Sequence, residues 1–590
     1  MPPVPSRRLV VSAVSVAAAV VLAACASGGK TKPTTPAPLD RASASHVAQD
    51  DPAVIHFLNR ATFGARPQDL DAVRRDGVAA FLDRQLHPER IDDGALETRL
   101  AGFETLNLSS KQIAEQYYQP AQDARRRRQM EAQAAAKAGN GTGAPAPAPK
   151  PADPPNTSDQ ALFRRERQVL LELSDQKMLR AVYGERQLQE VLVDFWFNHF
   201  NVFAGKGADR GLLTAYERDV IRPRVFGRFR DLLGATAESP AMLFFLDNWL
   251  SVDPNGPHPE AGGEGRKAGN TTMPGGRGRQ PPAPRLPPPA FRLPPGRPAQ
   301  PAAKPARRGL NENYARELME LHTLGVDGGY TQKDVVEVAR CFTGWTIAQP
   351  RDGGDFRFDP RQHDPGQKVV LGHVIKAGGG REDGDRVLDI LARDPHTAHF
   401  IASKLVRRFV ADDPPPALVD RVARRFRETD GDLREVYRAI FLAPEFWSAQ
   451  ARGAKVKTPF EFVASALRVT GARMDDAAAA VQAVRTLGMP LYFCQPPTGY
   501  ADRADAWVTT GALVSRMNFA LALVDNRLPA VRVDLAALAG TPDLALARTQ
   551  VLRQLLDNNA SPVTLAVLDK ASTVTQLVAL ALGAPEFQRR

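Results

Sequence analysis

Apolar residues recur with a period near 3.6 through most of this chain. Stretches at Pro67 to Gln85, Ala161 to Tyr183, Gln187 to Phe203, Leu310 to Leu324, Gln332 to Phe342, His396 to Val410, Pro459 to Val469, Gly511 to Val524 and Val574 to Leu582 each collect apolar side chains on one stripe, which predicts amphipathic helices. Only 346–375 departs from that rhythm. There Phe356-Arg357-Phe358 and Lys368-Val369-Val370-Leu371-Gly372 flank the turn-forming Asp359-Pro360 and His363-Asp364-Pro365-Gly366, which predicts one short β-hairpin among helices. FLAPEF at 441–446 and LGAPEF at 582–587 each follow a helical pattern and read as a reused helix corner; two copies do not make a solenoid.

Two stretches, 139–158 and 253–308, are Gly/Pro/Ala-rich and lack the apolar content to pack a core. They read as disordered insertions in one large helical domain covering 51–590. The fold class expected is mainly α, with the small hairpin as its only strand material.

The helical period also tests the polar constellations. In NENYARELMELHTLGV, residues 311–326, a wheel of about 100° per residue puts Leu310, Tyr314, Leu318, Leu321 and Leu324 in one buried sector. Glu317 falls inside it, Asn313 and Glu320 form a polar strip at its edge, and His322 lies well round from both glutamates. Glu317 is therefore expected to be a buried carboxylate, tolerable only if hydrogen-bonded, ion-paired, protonated or metal-bound.

VLVDFWFNHFNVF, residues 191–203, is apolar nearly all round, as central helices are. His199 is expected to be buried, while Asp194, Asn198 and Asn201 line up on another side. If these two helices meet, His199 facing Glu317 would be a structural lock, an acid/base couple or two metal ligands, with Arg60 a rival partner for Glu317. Asp359, His363, Asp364 and Lys368 read equally as a turn or as a metal or proton-transfer loop. His396 and His399, one turn apart, read first as helix-start polar residues and second as metal ligands. The candidate catalytic residues are thus Glu317, His199, His363 and Asp364, and the structural polar-core candidates Asn313, Glu320 and Arg60. A P-loop, HExxH, Rossmann glycine pattern and G-x-S-x-G elbow are all missing from the sequence, so no cofactor is assigned and metal binding stays open.

The first residues address location. Arg7 and Arg8, an apolar run from Leu9 to Leu22 and small residues ending at Cys25 read as a secretory signal at 1–24, the apolar run being too short for a span. Leu22-Ala23-Ala24-Cys25 resembles a lipobox, which implies a lipid on Cys25 and a flexible tether over 25–50. Acyl chains contribute about 0.8 kcal/mol per buried CH₂, enough for several to hold a protein on a membrane. Ala26 and Ser27 after the cysteine point to the periplasmic face of the outer membrane in a Gram-negative cell. Ser6-Arg7-Arg8 resembles a twin-arginine signal only faintly, so general secretion is preferred.

Charge adds little. The net charge is +11, but 253–308 holds ten Lys and Arg against three Asp and Glu, so a surplus of seven sits in an insertion. That favours a solvated basic loop over nucleic-acid binding. With Cys25 acylated, Cys341 and Cys494 remain, either as one disulfide or as two small buried hydrophobes.

HFLNRATFGARPQDLDAV (56–73), FWFNHFNV (195–202), SPAMLFFLDN (239–248), GLNENYARELMELHTLGVDGGYTQKDVVEVARCFTGWTI (309–347), FDPRQHDPGQKVVLG (358–372), KTPFEFVASALR (457–468) and LGMPLYFCQPPTGYADRADAWVTTGALVSRMNFA (487–520) together resemble the bacterial family called domain of unknown function 1800 (DUF1800). Tyr500 and Cys494 depart from that pattern, where Gly-Trp and proline are usual. The resemblance implies an exported, largely helical protein of no established activity, often encoded beside exported proteins resembling alkaline phosphatases or sulfatases. The function expected is a lipid-anchored envelope protein that binds or assists another exported protein; the alternative is an envelope hydrolase or metal-dependent enzyme with a buried Glu/His site.

Overall fold

Helices dominate because the apolar stripes find one another. The computed structural model describes residues 51–139, 157–256 and 309–590, all within one unit spanning 47–590. The expected signal sequence, Cys25, the expected tether and most of both insertions lie outside the described residues.

The long pattern at 67–85 is two helices, Pro67–Asp76 and Val78–Leu86, broken at Gly77. Gly77 has φ +83° with open space around its Cβ position, so backbone conformation, not crowding, requires glycine there. The next pair, Thr157–Tyr183 and Gln187–His199, turns sharply at Gly184. Gln187, itself buried, closes that turn: its Nε2 donates to the carbonyls of Gly184 (2.9 Å) and Ala181 (3.1 Å), and its Oε1 accepts from the Phe63 amide (3.0 Å).

Gln187–His199 is the central helix, as its all-round apolarity foretold. Leu188, Leu192 and Trp196 are completely buried. The Trp196 indole N–H donates to Tyr437 Oη at 2.7 Å and Tyr437 donates on to the Val225 carbonyl at 2.8 Å, so the polar tips of two buried rings are satisfied. One contiguous apolar core runs from the Asp51–Ala61 helix to the C-terminal helices Thr510–Val524 and Val574–Gly583. A small satellite of Ile113, Tyr117, Tyr118 and Val169 sits apart from it.

Strand material is scarce and differs in pairing from expectation. Phe356–Phe358 and Lys368–Val370 do not pair with each other. Trp345–Ile347 pairs antiparallel with Phe356–Phe358, and Lys368–Val370 pairs antiparallel with His373–Ile375. The second hairpin turns at Leu371 and Gly372, both with positive φ. The wide Asp359 to Gly366 segment is instead held on buried side chains. A third pair joins Arg473–Met474 to Val531–Arg532.

The borders of the second insertion meet. Ser251 and Gly309 form a parallel bridge, and the Val252 amide donates to the Gly309 carbonyl at 3.1 Å. No helix among the described residues is long and apolar enough to cross a membrane.

Candidate functional site

The C-terminal turn of Gln187–His199 forms the base of a cleft. Asn198, in the last turn, and Asn201, just past the helix end, both grip the loop after Leu491. Asn198 Nδ2 donates to the Tyr500 carbonyl at 2.8 Å while its Oδ1 accepts from the Tyr500 amide at 2.7 Å. Asn201 Nδ2 donates to the carbonyls of Cys494 (2.9 Å) and Pro496 (2.8 Å). Gly499 has φ +73°, and a Cβ there would lie 2.2 Å from the Asn198 carbonyl oxygen, so only glycine lets the loop approach this closely. Tyr500 anchors its hydroxyl on the Pro490 carbonyl at 2.8 Å.

The opposite wall is the Pro395–Phe409 helix. Its first turn is capped by Asp394, which accepts from the His396 amide and ring. That accounts for His396 as a helix-start residue; His399 is exposed and lies 3.8 Å from Asp420. Three turns on, Lys404, Arg407 and Arg408 share one face at i, i+3 and i+4. Between the walls lies a cleft of about 320 Å³ whose lining includes these three cations, Arg503, His199, Asp194 and Asp502.

Its two carboxylates are already engaged. Asp194 lies 3.0 Å from Lys177 and Asp502 lies 2.8 Å from Lys455. Burial pushes the Asp502 carboxyl up, but Lys455, Arg408 and Arg590 outweigh it and hold it at about 2. Arg408 shares Glu461 (2.7 Å) with Arg590 (3.0 Å). Lys404 is different: among the described residues its ammonium makes no hydrogen bond or ion pair. Burial lowers it to about 8, against the pull of Asp502 and helped by Arg407.

His199 is buried, as expected, but its partner is not Glu317. Its Nε2 lies 3.1 Å from the backbone carbonyl of His322, so the imidazole carries its proton there and leaves a lone pair on Nδ1, which has no partner among the described residues. Burial, then Lys404, keeps His199 neutral far below its ordinary pKa and holds His322 at about 3.

The expectation of a buried Glu317 is corrected. Glu317 is half-buried and makes no hydrogen bond or ion pair with a described residue. Burial and then the neighbouring Glu320 raise its pKa. The helix ends at Glu320; the amides of Leu321 and His322 both turn back onto the Glu317 carbonyl, at 2.9 and 3.1 Å, and that turn delivers His322 to the core. A wheel drawn from Leu310 assumed regular helix to Leu324, whereas the helix stops at Glu320, although Leu324 is buried as that wheel expected. Asn313 is exposed, not part of a polar core, whereas Asn311 caps the helix by accepting from the Tyr314 amide at 3.1 Å. Glu320 accepts from Tyr330 Oη at 3.0 Å. Arg60 is completely buried, yet it reaches the carbonyls of Val410 (3.1 Å) and Ala451 (2.7 Å), not Glu317.

His363 and Asp364 belong to a separate, closed cluster. His363 Nδ1 meets the Thr343 carbonyl at 2.8 Å, and its Nε2 lies 3.2 Å from Asp383. Lys368, with no exposed surface, ion-pairs with the same Asp383 oxygen at 2.5 Å. Asp364 forms a two-pronged pair with Arg340, at 2.7 and 3.1 Å. Neither His363, Asp364 nor Glu317 lines the Lys404 cleft. No group of three or more His, Cys, Asp or Glu among the described residues could hold a metal ion. Cys341 and Cys494 are free and buried.

Sequence reasoning therefore missed the cleft's cations and Asp383. The spacing of Lys404, Arg407 and Arg408 was a legible signal for one basic face; Asp383 carried none, since its partners lie 15 and 20 residues earlier.

No curated protein and no solved structure matches the chain. A family model described as Protein of unknown function (DUF1800) matches residues 56–589, and the chain belongs to that family.

Proposed function

We propose that this is an exported, lipid-anchored envelope protein that binds, and thereby assists, another exported protein, with the Lys404 cleft as its binding site. One observation carries the binding part: a solvent-open cleft with fixed walls holds an ammonium that no described residue neutralises. A buried or half-buried charge is expensive unless matched, so a ligand that matches it gains that desolvated interaction on binding. The anchor part rests on the lipobox resemblance at Leu22 to Cys25. The basic 253–308 insertion would add attraction to acidic surfaces without contributing to the cleft.

The hydrolase or metal-dependent alternative needs Glu317, His199 and His363 at one site, and only His199 lines the cleft.

Two experiments test this reading. Fatty-acid labelling and membrane sedimentation of the wild type are expected to place the protein in the envelope, and Cys25→Ser to abolish both; a soluble wild type sinks the anchor. A photo-crosslinking residue at the exposed Thr498, on the cleft rim, is expected to trap one recurring exported protein. The same probe at exposed Val563 is expected to trap none, and equal adducts from both positions would remove the cleft from the proposal.

A further inference from the structure

We propose that the cleft is a receptor for a compact oxyanion, a carboxylate or a phosphate group, gripped by Lys404 and Arg407 above Arg408. This deepens the binding reading and rests on it.

Three cations of one lining each keep donors that no described residue takes. Lys404 Nζ has no hydrogen-bond or ion-pair partner among the described residues. Arg407 spends only Nε, on the Asp412 carbonyl at 3.1 Å, leaving both terminal nitrogens free of described partners. Arg408 is more than nine-tenths buried and lines the same cleft; Nη1 pairs with Glu461 at 2.7 Å, while Nε and Nη2 are buried with no partner among the described residues. Orphaned guanidinium nitrogens in a protein interior are costly, and a carboxylate or phosphate presents the paired oxygens that a guanidinium fork matches.

Competing carboxylates do not fill this role. Asp194 and Asp502, the acids of the lining, are held by Lys177 and Lys455, and Glu461 is shared between Arg408 and Arg590. Arg503 is tied to Asp413 at 3.2 Å on the exposed rim. A volume of about 320 Å³ admits a small molecule or the carboxylate-bearing end of a peptide.

Calorimetric titration of the full chain in detergent, with inorganic phosphate and with citrate as separate probes, tests this. At least one anion is expected to bind at a single site, and Lys404→Gln and Arg407→Gln are each expected to weaken it by about tenfold or more, as loss of a charge-assisted hydrogen bond does. Arg316→Gln, outside the cleft, is expected to leave it unchanged. Binding of phosphate alone identifies a phosphate receptor and binding of citrate alone a carboxylate receptor. No binding of either probe, or affinity unmoved by both cleft substitutions, overturns the assignment. Both cleft positions are half-buried, and far-ultraviolet circular dichroism of each variant verifies that it folds. The membrane and crosslinking readouts are independent: a chain that sediments through Cys25 and crosslinks at Thr498 but ignores both anions loses only the anion assignment.

Discussion

His199 donates through Nε2 to the main-chain carbonyl of His322, 3.1 Å away, and both imidazoles are buried and neutral. The bond ties the central helix to the turn that ends Glu312–Glu320, and it replaces the His199 to Glu317 pair that helix geometry alone suggested. His199→Ala is expected to destabilise the protein by about 3 kcal/mol or more, from the cavity and the orphaned carbonyl together. His199→Gln, able to donate to that carbonyl, is expected to cost less. Thermal unfolding midpoints order the two variants; equal midpoints would refute the role of the bond.

Glu317→Gln is expected to change stability by less than about 0.5 kcal/mol, because the carboxylate is half-buried, has no described partner and faces repulsion from Glu320. A loss of several kcal/mol in the same unfolding assay would restore a structural or ligated Glu317.

The sealed ion pair behaves differently. Asp383→Ala leaves the Lys368 ammonium buried with no carboxylate beside it and is expected to cost about 3–5 kcal/mol, whereas Lys368→Met, which removes the buried cation itself, is expected to cost less. Chemical denaturation of both variants checks the order, and the reverse order would contradict it.

Acid sensitivity follows from His56. Its Nε2 lies 2.8 Å from the Phe446 carbonyl, and burial, then Arg60, lowers its pKa to about 3. The unfolded side chain titrates near 6.5, so between those values the unfolded state holds a proton that the folded state lacks. Stability from this group is complete above about 6.5 and falls toward pH 3, by about 1.4 kcal/mol per pH unit. Asp557, raised by burial to about 7, acts in the opposite sense because its folded form keeps the proton. The informative quantity is the difference between wild type and His56→Gln: wild type is expected to lose stability more steeply below pH 6.5, and parallel curves would exclude a neutral buried His56.

Cys341 and Cys494 are expected to resist thiol reagents in the folded protein and to react once it is unfolded. Burial raises their pKa values to about 12 and about 11, which suppresses the reactive thiolate. Fast labelling of Cys341 under native conditions would contradict its burial.

Residue order alone determined the helical class and the burial of His199, because helical periodicity is a local property read over a few turns. It also carried the motifs that mark the family. What only the tertiary structure decided is which distant surfaces meet. Phe356–Phe358 could have paired with any nearby strand, and packing chose Trp345–Ile347. The helix stops at Glu320, and the turn after it, which no local periodicity announces, delivers His322 to the core. The cleft joins Asn198, Lys404 and Asp502, separated by roughly 200 and 100 residues. Such a site depends on apolar stripes docking across the whole domain, and no spacing along the chain encodes the distance between them.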